Sequence, residues 1–183
     1  MIWLTSDTHF GHDREFIWKV RGFNSCEEMN EAIIERWNER VGEHDYVYHL
    51  GDVFLGSIDN INYLQRLKGK IFIVLGNHDT DNRISHLGNV DGVLDYKFAL
   101  REKINGYHFY MSHYPTITSN LQKESLKQCT LNLYGHTHQK TNFYLDYPFM
   151  YHVGVDSHDC APVSIEQVIS DMKEQVEKCK SFL

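Results

Sequence analysis

Apolar residues in this chain come in short runs that end alike. Ile2-Trp3-Leu4-Thr5-Ser6 stops at Asp7-Thr8-His9, and Tyr46-Val47-Tyr48-His49-Leu50 stops at Gly51-Asp52. Lys70-Ile71-Phe72-Ile73-Val74-Leu75, the most apolar run, gives way to Gly76-Asn77-His78-Asp79. His108-Phe109-Tyr110-Met111-Ser112 ends at His113, and Leu131-Asn132-Leu133-Tyr134 at Gly135-His136-Thr137-His138. Short segments rich in β-branched and aromatic residues, bounded by turn residues, read as strands. Five of them deliver Asp, Asn or His at their carboxyl ends, the edge where open α/β sheets bind ligands.

Helical spacing fills the intervals of the first half. Ser25 with Glu28 has the form of a capping box, and Met29, Ile33, Ile34, Trp37 and Val41 share one face, predicting a helix over about 26–41. Ile58, Ile61, Leu64 and Leu67 step by three toward Lys68-Gly69, predicting a second helix from Ser57 that glycine stops. Strand, helix, strand, helix, strand in that order requires parallel pairing with crossover helices.

The second half reads differently. The stretch from Gly92 to Ile104, then Asn105-Gly106, then Tyr107 to Ser112 has the form of a hairpin with a type I′ turn. Pro115 to Lys127 reads as loop plus a modest helix, and Leu131–Tyr134, Thr141–Leu145 and Phe149–Val155 as short strands paired antiparallel. Ser164 and Gln167 cap a last helix whose face is Ile165, Val168, Ile169, Met172, Val176 and Cys179. The expected architecture is a single α/β domain over residues 1–183, with mixed sheets forming two β layers between layers of α.

Composition narrows the class. A hydrophobic share of 42% with 23% charged residues is that of a soluble globular protein, and the longest apolar run is far too short to span a bilayer. The amino terminus enters a strand directly, without a basic segment and apolar leader, so cytoplasmic residence is expected and no membrane partner. Cys26, Cys129, Cys160 and Cys179 fit no zinc-binding spacing and are expected as reduced thiols. A formal charge of −7 argues against an extended nucleic-acid surface, because neutralising many phosphates takes a surplus of Lys and Arg. Nothing in the pattern specifies an oligomeric state. The 12 histidines exceed ordinary usage, which raises the question of how many do chemistry.

Asp7, His9, Asp52, Asn77, His113, His136 and His138 offer oxygen and nitrogen donors only. Seven donors are too many for one divalent ion and suit two ions sharing a carboxylate. Carboxylate with imidazole and no thiolate favours two divalent transition-metal ions, Mn²⁺ foremost, with Fe, Zn²⁺, Co²⁺ or Ni²⁺ as alternatives, over Ca²⁺ or Mg²⁺. Two such ions about 3.5–4 Å apart can clamp a phosphoryl group and ionise a bridging water. Phosphoester hydrolysis is the reaction class.

These residues carry a resemblance. Asp7-Thr8-His9, Gly51-Asp52, Gly76-Asn77-His78-Asp79, His113 and Gly135-His136-Thr137-His138 resemble, in order, the five signature blocks of the calcineurin-like metallophosphoesterases. The small uncapped bacterial and phage members are most similar, including the opening Ser6-Asp7-Thr8-His9-Phe10-Gly11-His12 and the close from Val153-Gly154-Val155-Asp156 to Pro162-Val163-Ser164. The resemblance implies a four-layer αββα sandwich of the metallo-dependent phosphatase type. It also implies one metal on Asp7, His9 and His138, another on Asn77, His113 and His136, and Asp52 as bridge. His78 would be the catalytic general acid rather than a ligand, a sensible role because imidazole exchanges a proton near neutral pH and a departing alkoxide needs one. Asp79 would be an orienter or, preferentially, a helix cap.

One departure stands out. Protein-phosphatase members follow Gly-Asp with a motif ending Asp-Arg-Gly, whereas here Gly51-Asp52-Val53-Phe54-Leu55-Gly56-Ser57 lacks that Asp and Arg. This speaks against phosphoserine in a protein as substrate and leaves His78 without its usual acidic partner. His12, on the loop of His9, and Arg14 are expected on the substrate side, with Arg21 and Arg83 as further phosphate-clamp candidates. The other histidines are expected to be surface or structural. The functional expectation is hydrolysis of a small phosphodiester by in-line attack of a metal-bridging hydroxide. A phosphomonoesterase or nucleotide pyrophosphatase is the alternative, and a non-catalytic protein-binding scaffold a remoter one.

Overall fold

A computed structural model describes residues 1–118 and 125–180. Its first half alternates as the spacing requires: β1 (Ile2–Thr5), a single helical turn α1 (Glu15–Trp18), α2 (Cys26–Arg40), β2 (Tyr46–His49), a 3₁₀ helix (Ile58–Arg66), β3 (Lys70–Val74), α3 (Asp81–Leu87) and β4 (Val93–Lys97). The second half holds β5 (Ala99–Ile104), β6 (Tyr107–Ser112), β7 (Thr130–Tyr134), β8 (Met150–His152), β9 (Val163–Ser164) and α4 (Ile165–Lys180). The helix expected within 115–127 falls partly on 119–124, outside the described residues.

Two mixed sheets result. The first has the order β4-β3-β2-β1-β9, parallel except for β9, and the second the order β5-β6-β7-β8. Ser25 accepts the Glu28 amide to start α2, whose buried stripe of Met29, Ile33, Ile34 and Trp37 joins Val47, Ile71 and Leu64 in one core. Each such fully buried side chain stabilises by about 1.5–3 kcal/mol. A second core brings together Leu4 and Val74 of the first sheet, Phe109, Met111, Leu131 and Leu133 of the second, and Val168 and Met172 of α4. Ser164 accepts the Gln167 amide at the start of α4, as its spacing predicts.

Four features differ from the sequence reading. The residues stepping by three form a 3₁₀ helix, in which side chains at i and i+3 align, so the period was literal. The segment from Gly92 to Ile104 is two strands: β4 completes the first sheet and β5 opens the second, the chain passing between sheets at Phe98. Asn105-Gly106 does make the β5–β6 turn, both residues at positive φ. The β6–β7 and β7–β8 pairs are parallel, not antiparallel, because the long connections after His113 and after Gly135 serve as crossovers. Residues 141–145 form no strand and contribute only an isolated bridge, Phe143 to Tyr151, before a 3₁₀ turn.

Parallel pairing matters to the site. It points β1, β2, β3, β6 and β7 so that their terminal residues can meet.

Candidate metal centre and its surroundings

Past the ends of β1 and β2 the chains stay zipped: Leu50 donates to the Thr5 carbonyl, Asp7 to that of Gly51, His9 to that of Asp52 and Phe10 to that of Val53. Within this ladder Asp7, His9 and Asp52 adopt positive φ of 57°, 50° and 57°, and across the site His136 and His138 adopt 67° and 49°. Residues bearing a Cβ rarely enter this region, at a cost of roughly 1–2 kcal/mol each. Strain of this kind gathers where packing over-determines a functional geometry. Here it turns five candidate side chains toward one place.

Two donor groups form. His9 Nε2 lies 3.2 Å from His138 Nε2, and Asp7 Oδ1 lies 4.0 Å from the former and 3.9 Å from the latter. Asp7, Asp52 and His113 make the second group, where His113 Nε2 is 3.4 Å from Asp52 Oδ2 and 3.0 Å from Asn77 Oδ1. Asp52 Oδ2 is also 3.7 Å from His9 Nε2, so one carboxylate oxygen faces an imidazole of each group. His136 enters neither set by its ring nitrogens; its ring stands beside His113, centroids 5.0 Å apart, and against Tyr114 at 4.7 Å. Its backbone N–H donates to the Asp7 carboxylate at 3.0 Å, alongside the Ser6 hydroxyl.

The electrostatics suit cations. Asp7 and Asp52 are buried, and two carboxylates away from water need compensating positive charge. Burial pushes the Asp7 carboxyl up, partly offset by His113 and His138. Burial acts the same way on Asp52, but the His113 imidazole and the His78 amide outweigh it and hold the carboxyl well below the usual range. His9 is driven well below the ordinary imidazole value by burial and then by Arg21, which leaves it neutral, as a ligand must be. Burial lowers His113 and His138 too, but Asp52 and Asp156 respectively reverse this and raise them. Facing imidazole nitrogens and buried carboxylate oxygens, without thiolate, fit divalent transition metals.

His78 sits at the edge of both groups. Its amide donates to Asp52 Oδ1 at 2.8 Å, Arg83 donates to its carbonyl at 2.6 Å, and its ring meets that of His9 edge-on at 5.5 Å. Arg83 therefore positions His78 instead of gripping phosphate. Asp79 caps no helix and its hydrogen-bond partners are backbone: its carboxylate accepts from the amides of Gly76, Asp52 and Val53, while Thr80 occupies the N-cap of α3. It ties the β2 and β3 loops together.

A cavity of about 420 Å³ adjoins the first group, with His9, His12, His78 and His138 among its walls. His12, expected on the substrate side, lines this cavity, but Arg14 is exposed and does not. Arg21 lines it but is not free to clamp phosphate. Its guanidinium is fully engaged, with Nε and Nη2 on Asp156 at 3.0 and 2.9 Å and the remaining donors on Thr8 O, Asp7 O and Met29 Sδ. Asp156 also accepts from or faces His138 Nδ1 at 2.9 Å. Burial would raise the Asp156 carboxyl, but His138 and Arg21 prevail and hold it well below the usual range. Sequence reading assigned Asp156 no role, although Val153-Gly154-Val155-Asp156 repeats the apolar-Gly-Asp signal of the other strand ends.

Glycines make the approach possible. A Cβ on Gly135 would overlap the side chains of Ser6 and Asp7, and one on Gly76 would overlap Asp52. At Gly135 the need is for space, since the positive-φ turns that follow it are made by His136 and His138 themselves. His49 and His152 are wholly buried and structural, and Cys26, Cys160 and Cys179 are free thiols. No helix among the described residues is long and apolar enough to cross a membrane.

Comparison with known proteins agrees with this geometry. The chain is 32% identical over 180 residues to an uncharacterized protein of Methanocaldococcus jannaschii, covering 92% of this chain and 89% of that one. It is 28% identical to the gene 66 protein of Mycobacterium phage D29, covering 94% and 98% respectively. A solved structure of a protein of unknown function from Aquifex aeolicus superposes with a TM-score of 0.69 at 25% identity, over 93% of this chain and 98% of that one. The family model of the calcineurin-like phosphoesterase superfamily domain matches residues 1–154, and with the two mixed sheets and helices already described this chain belongs to the calcineurin-like phosphoesterase superfamily.

Proposed function

We propose that the protein is a metal-dependent phosphodiesterase acting on a small diester. Asp7, His9 and His138 would hold one divalent ion, Asn77, His113 and His136 a second, and Asp52 would serve both. The observation that carries this reading is the position of Asp52 Oδ2, 3.7 Å from His9 Nε2 and 3.4 Å from His113 Nε2. When bound, such ions, Mn²⁺ foremost, polarise phosphoryl oxygens and lower the pKa of a shared water.

The chain's own groups do the rest. A water gives up one proton to solvent as its oxygen bonds to phosphorus in line with the departing ester oxygen, the P–O ester bond breaks, and His78 as imidazolium gives the alkoxide its proton. Asp52 and Arg83 fix the His78 backbone from either side, so the ring is presented without a covalent role. Asp156 orients His138 through Nδ1, which leaves Nε2 toward the first group. A diester is favoured over a monoester because Arg21, a cation at the cavity wall, is saturated by protein acceptors and cannot answer a second negative charge.

The test is a panel of mono- and diester p-nitrophenyl phosphates with added Mn²⁺, run beside single-turnover hydrolysis in ¹⁸O-labelled water. Faster diester hydrolysis, abolished by chelator, with one label in the phosphate product and no phosphoenzyme, is expected. A trapped covalent intermediate would refute the in-line reading, and faster monoester turnover would favour the monoesterase alternative.

A further inference from the structure

The cavity beside the first donor group has two unlike sides. Its histidine side, formed by His9, His78 and His138, belongs to the reacting centre. Its apolar lining is Phe16, Ile17, Val20 and Leu55. Ile17 is buried in the core, but Phe16 and Val20 are 66% and 58% exposed. A lone exposed apolar residue needs no explanation. Two within five residues, Phe16 on α1 and Val20 just past its end, lining the same cavity as candidate catalytic groups, present an apolar wall to whatever occupies the reacting centre.

The charged pair in the lining, Arg21 and Asp156, is closed to a ligand. Every N–H of Arg21 already has an acceptor in the protein, and Asp156 is held by Arg21 and His138. Lys19, on the same segment, pairs with Glu15 at 3.6 Å and does not line the cavity. An anionic substituent seated here would leave water with no free guanidinium or ammonium among the cavity's lining residues to meet it, which is costly. An uncharged one loses nothing and gains apolar burial.

The His12 ring meets Phe16 edge-on, planes at 89° and centroids 5.6 Å apart, so the exposed phenyl is steadied at the rim from one side. A steadied aromatic surface lining the cavity together with the aliphatic Ile17, Val20 and Leu55 suits a flat ring, since offset and edge contacts of rings add to simple area burial. The volume, about 420 Å³, lies in the range of small-ligand pockets.

We propose that this cavity seats the retained ester substituent of the substrate and selects a flat, uncharged aromatic ring, as of an aryl alcohol or a nucleobase, over small aliphatic or anionic groups. The proposal rests on the phosphodiesterase reading for its orientation relative to phosphorus.

The test keeps the leaving group constant. The p-nitrophenyl diesters of methyl phosphate, phenyl phosphate, thymidine 5′-phosphate and thymidine 5′-diphosphate, the last anionic, are compared on the metal-loaded protein. The two single-phosphate aromatic esters should exceed the methyl ester in kcat/KM by on the order of tenfold to a hundredfold, chiefly through KM. Phe16→Ala and Val20→Ala, both at exposed positions, should bring that ratio toward unity. Preference for thymidine over phenyl identifies a nucleobase, and the reverse an aryl group. Equal rates for methyl and aromatic esters, a preference for the anionic ester, or an aromatic preference that survives both substitutions would overturn the proposal.

Binding supplies a readout without turnover. By calorimetry phenylphosphonate should bind more tightly than methylphosphonate, and Phe16→Ala should narrow the difference. If no diester were hydrolysed the phosphodiesterase reading would fail, while equal phosphonate affinities would still separately overturn the aromatic subsite.

Discussion

Two side chains carry most of the site's chemistry and support without being candidate ligands. His78 is anchored only through its backbone, by the Asp52 carboxylate and the Arg83 guanidinium, so its imidazole can be removed while the donor groups stay assembled. His78→Ala is expected to retain both metals in a metal analysis, yet lose roughly 10²–10⁴-fold in kcat on substrates with poor leaving groups and much less on p-nitrophenyl esters. Loss of metal from that variant would show that the ring is a ligand after all. Asp156 is the opposite case. Its carboxylate is the partner of an Arg21 side chain only 2% exposed, and removing one member of a buried pair strands the other's charge. Asp156→Ala should therefore destabilise the protein by about 3–5 kcal/mol in urea unfolding and weaken metal retention through His138. A loss under about 1 kcal/mol would mean that water reaches Arg21 freely.

At the scale of elements, close approach between loops decides more than turn chemistry does. Gly106 sits in the β5–β6 turn at a φ of 82° with open space around its would-be Cβ, so Gly106→Ala meets only backbone strain, about 1–2 kcal/mol, and should leave metal binding untouched. Gly135 has no such φ, but its missing Cβ is where Ser6 and Asp7 pack. Gly135→Ala should displace Asp7 and abolish metal binding, measured as stoichiometry after dialysis, even where the protein remains folded. Equal metal binding by the two variants would sink this distinction. The elements themselves were legible wherever the repeat was local: the α2 capping box, the three-residue step of the 3₁₀ helix and the Asn105-Gly106 turn. Pairing direction was not, because β7 and β8 read identically from sequence whichever way their neighbours run.

The whole molecule responds to pH through histidines the chemistry does not use. His49 and His152 are wholly buried, and burial drives each imidazole from 6.5 to about 3. Above the unfolded value neither state is protonated there and the full stability is present. As pH falls from 6.5 toward 3 the unfolded chain binds two protons that the folded chain refuses. Stability is lost across that window, by up to roughly 2.7 kcal/mol per pH unit for the pair. Urea midpoints of the chelated protein should fall steeply between about pH 6 and about pH 4.5, and flat midpoints would show both rings protonating in place. The sequence by itself determined the strand ends and the Asp, Asn and His residues that stand at them, because turn residues and apolar periodicity are local and chemistry must be encoded in residue type. Only tertiary structure decided that Arg21 is closed by Asp156, that Asp79 ties two loops instead of capping α3, that Arg14 stands away from the cavity, and that Phe16 and Val20 wall it. Those facts depend on which residues distant in the chain occupy the same few ångströms, and no local pattern records that.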